Sequence, residues 1–294
     1  MAHSDSTGAG PPLTTALTKA SVSAALARDK TFGYGRVRRV IRTLMPIDSD
    51  DRRREPSPSE LRALLRESAD TCSARTSVPI VLPATLTRDY AKPIARIRAL
   101  AETAPDVFFS LDNDLFVKDL AVCFGQLYPG GARLVDLRAG LPRRLLLSQR
   151  FGTPTVLRFF WTGGGFAPWL ETHVDPRDLS EFSESGLTRM YLRVAAMLEV
   201  NPNVLGVFGG SWFYDPCLET LSPHLAYLQQ LPRAHGARLF RGPTTAGTVA
   251  SALLKSQRRR QAYESGAYRP QSYFLAWPRR AMLTWAHARA VTAS

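Results

Sequence analysis

Apolar positions fall into a helical rhythm at residues 59–70, where Leu61, Leu64 and Leu65 share one face behind Ser59-Glu60. Ile94, Ile97 and Leu100 recur at threefold spacing, which predicts a second helix after Pro93 that ends at Pro105-Asp106. Residues 33–45 alternate apolar and basic side chains, as an amphipathic segment does. Residues 46–58 are charged and turn-rich, and Pro79 and Pro83 break 78–87 into loop or short strand. Beyond the short run Val107–Phe109, Leu115, Leu120, Phe124 and Leu127 form a stripe that predicts a helix over 115–128, stopped by Pro129-Gly130-Gly131. Strands are predicted at 132–137, 143–149, 155–161 and 168–174. A polar connection, 175–187, leads to a helix at 188–200 with Met190, Val194, Met197 and Leu198 inward. The remaining series is a strand at 204–213, a helix within 216–231, a strand at 237–241, a basic helix at 245–264, a strand at 272–277 and a terminal helix. No internal repeat is visible.

This order predicts an α/β (α+β) fold, a mixed central sheet flanked by helices. The expected organisation is a disordered tail at 1–31, a mainly helical region at 32–105 and an α/β core at 106–294. Residues 1–31 are rich in Ala, Ser, Thr and Gly and show no apolar core of a secretory signal. The 294 residues, 45% of them hydrophobic, suffice for one large domain or two smaller ones and exclude a wholly disordered chain. No apolar run approaches the roughly 20 residues of a membrane span. Cys72, Cys123 and Cys217 cannot all pair and form no Cys-x-x-Cys, so a reducing, cytoplasmic setting is expected and a zinc site of cysteines alone is excluded.

Charge alters this picture by its placement. The net charge is +13, and among the 38 basic residues only five are lysines. Residues 232–294 carry ten Arg and one Lys against Glu264 alone. The Arg-rich stretch at 36–66 is diluted by five acids and reads as a solvated face. The densest positive feature is Arg258-Arg259-Arg260 with Tyr263. Successive helical positions lie about 100° apart, so one of these arginines should pack inward while two project, placed to grip a phosphate or carboxylate.

From residue 115 the element order resembles that of the GNAT-type N-acyltransferase superfamily, over about residues 106–280. The resemblance implies that strand 168–174 splays from strand 204–213. It also implies that Asp175 to Leu187, with Arg177 and Gly186, leads into a helix start that cradles the pyrophosphate of acyl-coenzyme A. The implied function is transfer of an acyl group from a thioester, on coenzyme A or a carrier protein, to an amine-type acceptor, without a metal. His173 or Asp175 is then the candidate base and Tyr214 the candidate acid. Ser211 or Asp215 orients the nucleophile at the end of the strand, where α/β crevices form.

Two other classes are compatible with the residues. One is a non-catalytic binding module whose basic C-terminal surface takes an acidic partner or nucleic acid. The other is an Fe(II)/2-oxoglutarate oxygenase that uses His173-x-Asp175 with His224. Cys217, about two helical turns from His224, reads as structural.

Overall fold

The computed structural model describes residues 17–47, 50–72, 80–131, 133–143, 145, 153–162 and 164–293. It is a mixed α/β protein with a six-stranded sheet and, among the described residues, 12 α-helices. The first four helices are α1 (Lys19–Arg28), α2 (Arg36–Leu44), α3 (Pro58–Asp70) and α4 (Ala91–Thr103). Helix α3 starts at a capping box in which the Ser57 hydroxyl accepts from the Glu60 N–H and the Glu60 carboxylate accepts from the Ser57 N–H. The expected tail is therefore too long. Thr18 caps α1, and its Val22 and Leu26, four apart, are buried. Residues 1–16 lie outside the described residues.

The core series is α5 (Asp114–Cys123), β1 (Leu127–Pro129), β2 (Arg133–Ala139), α6 (Thr153–Thr162), β3 (Trp169–Val174), α7 (Glu184–Val200) and β4 (Gly206–Ser211). It continues with α8 (Leu218–Leu221), α9 (Tyr227–Ala234), β5 (Arg238–Arg241), α10 (Ala246–Leu253), α11 (Gln257–Glu264), β6 (Tyr273–Pro278) and α12 (Arg279–Ala293). The sheet order is β1-β2-β3-β4-β6-β5. All neighbours are antiparallel except β3 and β4, which run parallel through the α7 crossover.

Several expectations are corrected. Residues 155–161 are not a strand but part of α6. Val156 and Phe160 face inward four residues apart while Leu157 and Trp161 are exposed, so apolar residues on both faces concealed the helical period. The helix predicted to reach residue 128 stops at Cys123. Gly125, at φ 62°, turns the chain, and the last residues of the stripe pair as β1. The basic helix at 245–264 is two helices, because Ser256 caps α11 with its hydroxyl on the Arg259 N–H. The strand predicted at 143–149 lies mostly outside the described residues.

One large core runs from α1 to α12 and joins the helices before residue 105 to the sheet. A second, smaller core packs Val156 and Phe160 of α6 against Trp169, Phe208, Phe240 and Phe274 on the other side. No helix among the described residues is long and apolar enough to cross a membrane.

Candidate functional site

The parallel pair β3–β4 is joined only at Leu170–Val207 and Glu171–Phe208. Beyond these positions Thr172, His173 and Val174 diverge from Gly210 and Ser211, and a cavity of about 880 Å³ opens between them. Gly209 permits the junction: a Cβ there would lie 2.4 Å from Thr172 Oγ1. The fissure lies at the carboxyl ends of both parallel strands, where ligand crevices form in α/β sheets.

Among the described residues no acidic side chain lines this cavity; the charged lining is Lys118, Arg133, Lys255 and Arg259. The Lys118 ammonium donates to the Val174 carbonyl at 3.1 Å and pairs with Asp114 at 2.8 Å. Arg259 is buried beside the Trp212 ring, 4.7 Å from its centroid, and donates to the Ala252 carbonyl and the Ser222 hydroxyl. Arg258 and Arg260 are exposed, as the helical geometry of three consecutive arginines requires. Tyr263 stacks with Arg269 and does not line the cavity.

Of the expected catalytic side chains, His173 alone lines the cavity. Burial, with the Lys118 charge adding to it, pushes its pKa down to about 3, so the imidazole is neutral at pH 7. Its Nε2 is buried, has no hydrogen-bond partner among the described residues and lies 3.7 Å from the Glu171 carboxylate. Tyr214 stands behind the wall, where its hydroxyl accepts from Arg133 Nη1. Asp215 is buried and accepts from the backbone N–H groups of Cys217 and Gln271, a structural use of its carboxylate. Asp175 is also committed: Arg177 donates to both of its oxygens, Arg96 stands 3.6 Å away, and these hydrogen bonds and charges outweigh burial to hold its pKa down. Arg177 joins Asp175 to Asp119 and does not line the cavity. Ser211 lines it and caps the turn at Trp212–Tyr214.

The segment expected to cradle a pyrophosphate is filled by its own chain. The Ser183 hydroxyl accepts from the Gly186 N–H, and a Cβ on Gly186 would lie 2.1 Å from the Glu181 carbonyl oxygen. Gly186 thus serves close packing. Only Pro176, Leu179 and Phe182 of this segment reach the cavity. His173, Asp175 and His224 do not assemble as a metal set, and no group of three His, Cys, Asp or Glu side chains among the described residues is placed to hold a metal ion.

Beside His173, on adjacent strands, Asp136 pairs with Glu171. Burial pushes Asp136 up to about 7 against the pull of the Arg138 and Tyr34 N–H groups; burial and the Asp136 charge push Glu171 up to about 8. An unfolded Asp titrates near 3.9, so the folded protein holds the extra proton between roughly pH 4 and 7. Stability is therefore lost as pH rises through that window. Asp136→Asn should melt increasingly above the wild type as pH is raised from 5 to 8; a difference in Tm that is constant with pH would refute the assignment.

Sequence reading did not single out Arg133, although a signal existed: it lies in phase with Val135 and Leu137, the buried apolar positions of β2. No protein-family model matches the chain, and neither a curated protein nor a solved structure matches it.

Proposed function

We propose that the chain is an acyltransferase that moves an acyl group from an acyl-thioester to an amine-type acceptor in the fissure between β3 and β4. The observation that carries this reading is the interrupted parallel pair opening into a cavity that, among the described residues, has basic and no acidic lining. Such a fissure suits an anionic thioester donor such as acyl-coenzyme A. Donor phosphates would be met from the side of Lys255 and Arg259, with Arg258 and Arg260 nearby, since the start of α7 is already capped.

In the reaction the amine lone pair attacks the thioester carbonyl, the C–N bond forms and the C–S bond breaks. One amine proton must pass to the departing sulfur. A neutral His173, whose buried Nε2 has no hydrogen-bond partner among the described residues, would accept that proton from the nitrogen. Its depressed pKa means that the imidazole does not retain it, and the more basic thiolate takes it. Proximity within the fissure supplies the rest of the acceleration.

Thermal shift and turnover with acetyl- and longer acyl-coenzyme A test this reading. Stabilisation by at least one donor is expected; no stabilisation and no thiol release across the series would sink it. His173→Ala should lower kcat by less than the roughly 100-fold minimum usual for a general base, because a pKa of about 3 lies far below the operating pH, while leaving donor binding unchanged.

A further inference from the structure

Arg133 is a buried cation without a counter-charge. It is 1% exposed at the start of β2 and borders the cavity. No Asp or Glu forms an ion pair with it among the described residues; the charged-state interactions on it come from the phenols of Tyr214, Tyr191 and Tyr227. Its guanidinium lies 5.1 Å from the centroid of the Phe213 ring, 5.4 Å from Tyr214 and 5.8 Å from Phe182. Cation–π contacts of this kind return only a small part of what burial of an unpaired ion costs. Arginine does not escape by losing its proton.

The hydrogen bonds that it makes are all on one nitrogen. Nη1 donates to the Thr172 hydroxyl at 3.2 Å and to the Tyr214 hydroxyl. Nε and Nη2 are buried and have no hydrogen-bond partner among the described residues. These two nitrogens form the side-on edge of the guanidinium, whose parallel N–H groups match the two oxygens of one carboxylate. The protein thus holds the fork in place through Nη1 and leaves its bidentate edge buried and unpartnered at the cavity border.

We propose that Arg133 is a carboxylate hook and that the acceptor of the transfer is an amine that also carries a carboxylic acid, a compound of the amino-acid class. Arg133 pairs across the ladder with Val174, one position from His173, and both border the same cavity. A carboxylate on Arg133 would lie on the face of β3 that carries Thr172 and Val174, with the His173 side chain on the other face of the strand at the same cavity. The amino-acid assignment rests on the acyl-transfer reading, but the hook does not, so the two are tested apart.

Calorimetric titration of the full chain, without any acyl donor, with the twenty amino acids and with the amide and decarboxylated amine of each tests the hook. At least one acid should bind, and its amide and amine should bind about 100-fold more weakly, the worth of two charge-assisted hydrogen bonds. Arg133→Gln and Arg133→Lys should weaken the acid by a similar factor, since lysine keeps the charge but lacks the fork. Arg133→Lys carries the variant test if the glutamine form does not fold, and the acid-against-amide comparison needs no variant. The proposal is overturned if no acid binds, if amide or amine binds as well as the acid, if inorganic phosphate binds in preference, or if both variants bind unchanged. An acid that binds at Arg133 but is not acylated by any donor sinks the acyl-transfer reading alone.

Discussion

Trp277→Ala is expected to destabilise the protein by about 3–5 kcal/mol, the usual cost of truncating a buried tryptophan. Trp277 is fully buried on β6, between the β4 and β5 ladders. Its ring meets Tyr191 of α7 at 5.1 Å and Trp285 of α12 at 5.1 Å, and its indole N–H donates to the His235 carbonyl at 2.9 Å. Chain on the other side cannot collapse into the gap. Gly206, at φ 153°, already sits where a Cβ would lie 2.3 Å from the Trp277 carbonyl oxygen. The variant thus leaves both a cavity and an unpaired carbonyl. At about 2–4 °C per kcal/mol for a chain approaching this size, the melting point should fall by roughly 10 °C or more. Trp277→Phe, which keeps an aromatic face, should lose less than half of that. A fall under 2 °C for the alanine variant would show that this stack does not hold the sheet to its helices.

Asp119→Ala is expected to cost a similar amount, about 3–5 kcal/mol, because it removes one member of a buried ionic cluster and strands the others. The Asp119 side chain is fully buried on α5; it accepts from Arg177 Nη1 at 2.7 Å and Arg96 Nη2 at 3.1 Å. Burial raises its pKa above the ordinary carboxylate value even though both arginines pull it down. Without it, Arg177 and Arg96 share Asp175 alone. Asp175 opens the connection that brings Pro176, Leu179 and Phe182 to the cavity wall. Donor binding should therefore weaken together with stability. Asp119→Asn, which keeps an acceptor oxygen, should be milder in both respects. Asp175 has the opposite sign on titration: its pKa is lowered in the fold. Its contribution is present above the unfolded value near 3.9 and is lost as pH falls through the lower folded one. Chemical denaturation at neutral and acid pH checks both expectations; an alanine variant as stable as the wild type would mean that the cluster does no structural service.

Much of the sheet was legible because β3 to β6 are short apolar runs between turn residues, and α3 and α7 because their inward positions recur at helical spacing. Helix α6 was not, since Leu157 and Trp161 put apolar side chains on its outer face. That one arginine of the basic triplet turns inward was legible by angle alone, but that it is Arg259 was shown only by the structure. Among the site residues, His173, Ser211 and Arg259 were found as local features near strand or helix ends. Asp175, Arg177 and Asp215 looked equally chemical in sequence, yet their charges and acceptors are spent on one another and on backbone N–H groups. Arg133 looked like an ordinary strand residue because nothing in a single strand tells whether an inward charge meets a carboxylate.

Local sequence by itself determined where most helices and strands form, since periodicity, caps and breakers act over a few residues. It also determined that charge concentrates after residue 231. Only the tertiary structure decided which groups are free to act. Freedom depends on partners brought from distant parts of the chain: Asp119 and Arg177 are 58 residues apart, and Arg133 and Tyr214 are 81 apart. The fissure itself is such a decision, because β3 and β4 are adjacent only through the sheet and pair at two positions, where Gly209 lets Thr172 approach.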